Sequence, residues 1–306
     1  MDRVREVIVP EGLDGARLDK ALVELVPGAS RAKVRKAIEA GGVRVGGRIR
    51  AKGEIVRAGD ALSFEDVDLV SQEVPPLPEP EAKLDVLFES KDVIVVNKPA
   101  GQPCAPLRAS ETGTLANALI GHYPELAGVG YGPREPGLVH RLDTDTSGLV
   151  VVARNHDSFS NLKEALFAER IHKTYLLVCE GEGLADTGEV SFPIANHPKD
   201  SRRVLACVHP RDVMRNAPRP AHTRWMVEAR NGRWALVRAR APRALRHQIR
   251  VHFAALEHPL AGDTLYGGPA ELPRQALHAA SVALPGSFEV ASVLPEDMQA
   301  LFDRGT

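Results

Sequence analysis

Four prolines fall within nine residues, Glu73-Val74-Pro75-Pro76-Leu77-Pro78-Glu79-Pro80-Glu81, and they decide how this chain of 306 residues can fold. Proline fixes φ and has no N–H, so neither a helix nor an inner strand continues through such a run. The stretch reads as a stiff, extended linker. A chain of this length suits two domains, each with its own core. The boundaries are therefore set at residues 1–66 for a small first domain, 67–82 for the linker and 83–306 for a larger second domain.

Composition narrows the setting. The N-terminus is charged (Asp2, Arg3, Arg5, Glu6) and lacks the apolar core of a signal peptide. No apolar run approaches the roughly 18 residues of a membrane span. Cys104, Cys179 and Cys207 are odd in number and far apart, which suits a reducing cytoplasm and forms neither a disulfide framework nor a zinc motif. The net charge of −1 hides an asymmetry. Residues 202–250 hold thirteen arginines and no lysine against Asp212 and Glu228, a balance of +11, and residues 12–57 hold eleven basic against five acidic residues, a balance of +6. Two basic blocks in an otherwise acidic chain point to a phosphate backbone as partner.

The first block reads as a module. Leu18, Leu22 and Leu25 share one helical face, Pro27-Gly28 breaks the chain, and Ser30 is a good N-cap for a second helix. That helix turns Val34 and Ile38 inward, surrounds them with Arg31, Lys33, Arg35 and Lys36, and stops at Gly41-Gly42. Val43-Arg44-Val45, a Gly46-Gly47 turn and Arg48 read as a hairpin, and a turn at Ala58-Gly59-Asp60 leads to Leu62 and Phe64. Two short helices before a basic hairpin resemble the ribosomal-protein S-four-type RNA-binding domain. The matching segments are Arg17 to Leu22, Ser30 to Ile38 and Gly42 to Gly47. The resemblance implies that Arg31, Lys33, Arg35, Lys36 and Arg44 contact RNA, largely by shape and phosphate.

Beyond the prolines, Val93 to Val96 reads as a strand, Thr114 to Ile120 as a short helix, and Asp157 or Ser158 as the cap of a helix turning Phe159, Leu162 and Leu166 inward. Lys173 to Val178 and Trp234 to Arg240 read as strands, the latter with a cationic face. His247 to Glu257 reads as a helix with Ile249, Phe253 and Leu256 inward, and Arg246 and Arg250, one turn apart, on another face. Strands outnumber helices without strict βαβ alternation, so the expected class is α+β, with a mostly antiparallel or mixed sheet flanked by helices. The densest chemistry lies in Gly137 to Arg154. Its second half is the apolar run of a strand buried on both faces. Its first half crowds His140, Arg141, Asp143, Asp145 and three hydroxyls into one loop, where such groups are costly unless paired. A hydrogen-bonded turn would account for any one of them.

His140-Arg141-Leu142-Asp143 with Thr146-Ser147-Gly148-Leu149 resembles the signature of the RluA-type large-subunit pseudouridine synthases. Val96 to Gly101, Lys173 to Leu176, His247 to His252 with His258-Pro259 and Gly262-Asp263 through Tyr266-Gly267, and Leu277-His278-Ala279 resemble the family's other segments in order. The resemblance implies an enzyme that detaches uracil from its ribose, turns the base and rejoins it through carbon. Asp143 is implied as the essential carboxylate, nucleophile or base, Arg250 as its ion-pair partner, and Tyr175 as the aromatic that stacks on the target base. Arg141 is implied to enter the RNA stack as the uridine flips out, and Arg246 to contact RNA. The reaction is redox-neutral and needs neither ATP nor metal, so no cofactor is expected, and no P-loop or dinucleotide fingerprint is present. Large-subunit ribosomal RNA is the expected substrate, with tRNA the substrate of related enzymes, and a monomer is expected. His140 and Asp145 read as loop structure.

The chain departs from the family pattern at Ala244-Leu245-Arg246, where Gly-Arg-Thr is usual, at Gln102 to Pro106, and at Glu257. Two other readings compete. One is a non-catalytic RNA-binding or ribosome-assembly factor. The other is a magnesium-dependent haloacid-dehalogenase-like phosphatase, since Asp143-Thr144-Asp145-Thr146 resembles the start of its Asp-x-Asp-x-Thr motif. That motif follows a buried strand, whereas here the apolar run comes after it, and only an isolated Asp263 is at hand as the later acid.

Overall fold

The computed structural model describes residues 4–26, 29, 31–65, 69, 74–108 and 110–305, and its contacts cluster into two units, Met1–Glu73 and Val74–Thr306. The first unit runs β1 (Val4–Ile8), α1 (Leu18–Leu25), α2 (Arg31–Glu39), β2 (Val43–Val45), β3 (Arg48–Ile49) and β4 (Ala61–Glu65). Its antiparallel sheet has the order β1-β4-β2-β3. Leu18 and Leu22 of α1 and Val34 and Ile38 of α2 meet Val43, Leu62 and Phe64 of the sheet in one core. Lys33, Arg35 and Lys36 are left exposed. Strand β1 is not among the sequence-predicted elements, because Arg5 and Glu6 interrupt its apolar pattern. Pro27, Gly28 and Ser30, and the side chain of Arg31, lie outside the described residues.

The second unit runs β5 (Val86–Glu89), β6 (Val93–Lys98), α3 (Leu115–His122), β7 (Ser147–Ala153), α4 (His156–Phe167), β8 (His172–Glu180), β9 (Thr187–Val190), β10 (Ile194–Asn196), β11 (Val204–Ala206), α5 (Pro210–Asn216), β12 (Thr223–Asn231), β13 (Trp234–Arg240), α6 (Gln248–Ala255), β14 (Leu277–Leu284), β15 (Phe288–Ala291) and α7 (Glu296–Arg304). Nine strands form one mixed sheet in the order β5-β6-β7-β14-β8-β13-β12-β9, with β15 also on β14, while β10 and β11 pair apart. The class is α+β.

This sheet is two half-sheets joined at a seam. Its single parallel contact among the described residues is β7 with β14, through His278↔Ser147 and Ala279↔Gly148. Further along, β14 turns to β15. A Cβ on Gly148 would lie 2.3 Å from the Ala279 carbonyl oxygen, and φ there is +115°, so the close approach requires glycine. Each half carries helices on both faces. All seven residues of β7 are buried, Leu149 and Val151 toward Phe159 and Leu162 of α4, Val150 and Val152 toward Leu115 and Leu119 of α3. In the other half, Leu177 packs with Ile249 and Phe253 of α6, and Val178 with Met298 and Leu301 of α7. Leu142 touches both the α3 and the α6 cores, which seats the residue that follows it at the seam.

Three local expectations change. The proline run is docked on α3 over its C-terminal part. Asn117 Nδ2 donates to the Leu77 carbonyl at 2.8 Å, and Glu79 N donates to the Asn117 carbonyl at 3.1 Å. A Cβ on Gly121 would lie 2.4 Å from Glu79 C, so a glycine lets the chain lie there. The cap of α4 is Asn155, whose side chain accepts from Ser158 N while Ser158 Oγ accepts from Asn155 N, a capping box two residues before the expected Asp157. Finally, His247 has φ +54°, so α6 starts after it and Arg246 lies off the helix. Arg246 is exposed and Arg250 buried; they do not share a face.

Candidate active site

Residues 137–146 form a loop in front of β7 that is held mainly by its backbone. His140 Nε2 accepts from Val151 N at 3.1 Å, which places its proton on Nδ1, buried and without a partner among the described residues. Burial, with Lys173 nearby, pulls this imidazole down to about 3, so it stays neutral. Cys104 Sγ bridges the Leu142 N–H and carbonyl at 3.3 and 3.4 Å. Lys98, fully buried at the end of β6, donates to the carbonyls of Pro99 (2.8 Å), Gln102 (2.8 Å) and Thr144 (2.9 Å). Burial pulls its ammonium down to about 8. Arg274 clamps Asp297 of α7 at 2.7 and 2.9 Å and extends Nη1 to the Asp145 carbonyl at 3.4 Å. It is the Asp145 backbone, then, that takes a described hydrogen bond.

With its main chain so fixed, the loop presents the Asp143 carboxylate, 24% exposed, to α6. Oδ2 accepts from Arg250 Nη1 at 3.0 Å and lies 3.7 Å from His247 Nε2. Oδ1 has no partner among the described residues. Arg250 is committed on its other edge, where Nε and Nη2 hold Asp263 at 2.7 and 2.8 Å. Asp263 is 1% exposed, so the Asp263 that looks isolated in the sequence is the buried anchor of this arginine. Burial works against the guanidinium charge, but Asp263 and then Asp143 outweigh it and raise its pKa.

His247 is oriented by Tyr266. The phenol oxygen accepts from Val204 N at 2.9 Å and lies 2.9 Å from His247 Nδ1. The hydroxyl can donate to Nδ1, an arrangement that puts the ring N–H on Nε2, facing Asp143. Burial lowers the His247 pKa, which keeps this neutral tautomer. Tyr175, 5% exposed on β8, sits in the core shared by α6 and β14. Burial, reinforced by the Asp143 charge, pushes its phenol up, so the ring is neutral at pH 7.

The structure therefore brings together Asp143, Arg250 and Tyr175 from three distant segments. Arg141 is on the surface, 65% exposed and paired with Glu135 at 2.8 Å. Arg44 donates to the Gly47 carbonyl within its own hairpin, and Arg246 to the Arg203 carbonyl. Sequence reasoning placed Lys98, His247, Asp263 and Tyr266 in family-like segments without giving them a role, and missed Arg274. Lys98 did leave a signal: a lysine closing an apolar strand is costly to bury unless it is fully hydrogen-bonded. Of the thirteen arginines between 202 and 250, seven are paired with carboxylates (Arg202, Arg224, Arg230, Arg233, Arg238, Arg243, Arg250), so the +11 balance is partly cancelled by acids outside the block.

Residues 92–255 match the RNA pseudouridylate synthase family, and residues 16–62 match the S4 domain. A Synechocystis protein named as an uncharacterised RNA pseudouridine synthase is 36% identical over 308 residues, covering 97% of this chain and 90% of the relative. Ribosomal large subunit pseudouridine synthase D of Xanthomonas campestris is 35% identical over 318 residues, covering 97% and 91%. Human RNA pseudouridylate synthase domain containing 1 has a solved structure that superposes with a TM-score of 0.54 at 25% identity, over 69% of this chain and 83% of that one. An S4 domain followed by a pseudouridylate synthase domain thus has named counterparts, and the chain belongs to the RNA pseudouridylate synthase family, enzymes that isomerise uridine in RNA.

Proposed function

We propose that this enzyme converts specific uridines of large-subunit ribosomal RNA to pseudouridine, with Asp143 as the essential carboxylate. The N1–C1′ bond of the target breaks, the base turns, and a C5–C1′ bond forms, while C5 loses a proton and N1 gains one. Asp143 addresses the sugar with Oδ1, while Arg250 holds Oδ2 and His247 lies beside it. Tyr175 lies against the base as a neutral ring. Arg141 leaves Glu135 to fill the stack vacated by the flipped uridine. The exposed Lys33, Arg35 and Lys36 of α2, with Arg31 and Arg44, grip RNA phosphates.

The observation that carries this reading is the asymmetry of the two carboxylates on Arg250: Asp263 spends both oxygens on the arginine, and Asp143 only one. The ribosomal substrate is supported by the names of relatives similar over nearly the whole chain. Incubating unmodified large-subunit ribosomal RNA and tRNA transcripts with wild type and Asp143→Asn, then mapping pseudouridine, tests both parts. Conversion is expected in the ribosomal transcript with wild type alone, and RNA binding by the variant is expected to persist. Conversion confined to tRNA overturns the substrate; turnover by Asp143→Asn overturns the residue.

A further inference from the structure

We infer that Arg203 and Arg246 form a phosphate-binding subsite for the RNA backbone beside the target uridine; the inference rests on the catalytic reading above and deepens it. Arg203 lies in the turn between β10 and β11, and its carbonyl accepts from Arg246 Nη2 at 2.7 Å, so two segments distant in sequence bring two arginines to the neighbourhood of Tyr266. Arg203 lies over the Tyr266 ring at 5.5 Å from the centroid, and Arg250 lies 5.2 Å from the same centroid. Tyr266 is thus the spacer between this pair and the cation that holds Asp143, and its hydroxyl aims His247 at the same carboxylate.

Among the described residues, neither Arg203 nor Arg246 forms an ion pair with a carboxylate. The nearby acids are committed: Asp143 and Asp263 to Arg250, and Asp200 to Arg202 at 3.0 Å. Arg203 Nε is buried and has no hydrogen-bond partner among the described residues. A desolvated charged donor left unmade is costly, and an arginine serving only the fold would be turned to a carbonyl or carboxylate. With Nε turned inward, the Nη edge of its guanidinium is the side that a phosphodiester oxygen would meet. The location fits as well. Both phosphates flanking a nucleotide hang from the ribose whose C1′ meets Asp143, and Arg203 shares the Tyr266 ring with the arginine that holds that carboxylate. A phosphate held there fixes the ribose before the base leaves it, and identifies the ligand as any RNA backbone regardless of base.

The test uses the full-length chain and an unmodified large-subunit ribosomal RNA transcript. Arg203→Gln, Arg246→Gln and the double variant are assayed for kcat, KM and filter-binding affinity across a potassium chloride series. Lys91→Gln, an exposed lysine between β5 and β6, serves as the matched loss of charge. The double variant is expected to raise KM about tenfold and to flatten the log–log salt slope of binding by about one phosphate contact. Lys91→Gln is expected to leave both unchanged, and Arg203→Lys to restore the slope with only part of the affinity. An unchanged slope and KM overturn the subsite, as does a fall in kcat at constant KM, which would assign the pair to positioning His247. Should wild type make no pseudouridine on this transcript, the substrate reading fails, and the salt slope of binding still decides the subsite.

Discussion

The loop that carries Asp143 and the helix that faces it are held by opposite means. The loop is fixed through its main chain, by a buried ammonium on the Thr144 carbonyl, a guanidinium on that of Asp145 and a thiol at Leu142. Helix α6 is fixed through its side chains. Arg250 clamps Asp263, Gln248 reaches Thr223 Oγ1 at 3.1 Å, and His252 spans Thr223 Oγ1 and the Phe192 carbonyl, both at 2.9 Å. A segment held by its backbone can offer a side chain with an unspent oxygen, whereas a segment held by its side chains supplies rigid donors. Catalysis by electrostatic preorganisation needs one of each.

The contrast breaks most visibly at the two carboxylates. Asp143→Asn is expected to take turnover below detection while the thermal melting temperature stays near wild type, because one partly exposed contact is lost; a large drop in melting temperature would show that the loop leans on this side chain. Asp263→Asn should destabilise the fold by about 3–5 kcal/mol, the cost of stripping a buried arginine of its partner, as read by urea unfolding. A stable Asp263→Asn variant would mean that α6 does not depend on this clamp. Lys98→Met leaves three carbonyls short of a donor, each worth about 1–3 kcal/mol, and should lower both stability and kcat. It also has a pH signature. The ammonium titrates at about 8 in the folded chain against an ordinary 10.5, so between those values the unfolded chain binds more protons and unfolding free energy rises with pH. Lys98→Met removes that rise in urea melts taken across the window. Tyr266→Phe frees the His247 tautomer and should lower kcat by about fivefold, the equivalent of one hydrogen bond of roughly 1 kcal/mol, with melting little changed; an unaltered kcat would show that the imidazole does not steady Asp143. The smallest effect is expected at a distance. Lys36→Glu, exposed on α2, should weaken RNA binding a few-fold and reduce its salt dependence by about one contact, with kcat at saturating RNA unaltered.

Much of this was legible in the residues. The apolar run 147–153 announced a strand buried on both faces, and Val34 and Ile38 marked the inner side of α2. The segments resembling the pseudouridine synthases named Asp143, Arg250 and Tyr175 before any geometry did. What escaped depends on contacts that one-dimensional spacing does not carry. Arg246 and Arg250 have the spacing of helix neighbours, but the left-handed backbone of His247 separates them. Asp263 looked solitary because its partner lies thirteen residues back on another element. The arginine block looked uniformly cationic because its acids, such as Glu169, Glu180 and Asp186, lie before it in the chain. The proline run looked like a free linker because the asparagine and glycine that receive it sit on α3, some forty residues on.

The two-residue seam between β7 and β14 also sets an order in time. Parallel neighbours cannot be joined by a tight turn, and here one strand ends at Ala153 while the other begins at Leu277. During synthesis from the N-terminus, β5, β6 and β7 can pair locally, but the half-sheet across the seam is unfinished until β14 emerges. Such long-range closure is slow and comes late. Arg250, Asp263 and Arg274 are all made before Ala279 locks against Gly148, so a nascent or truncated chain carries every reactive group without the frame that aims them. The enzyme gains its chemistry only once β14 has been made and paired.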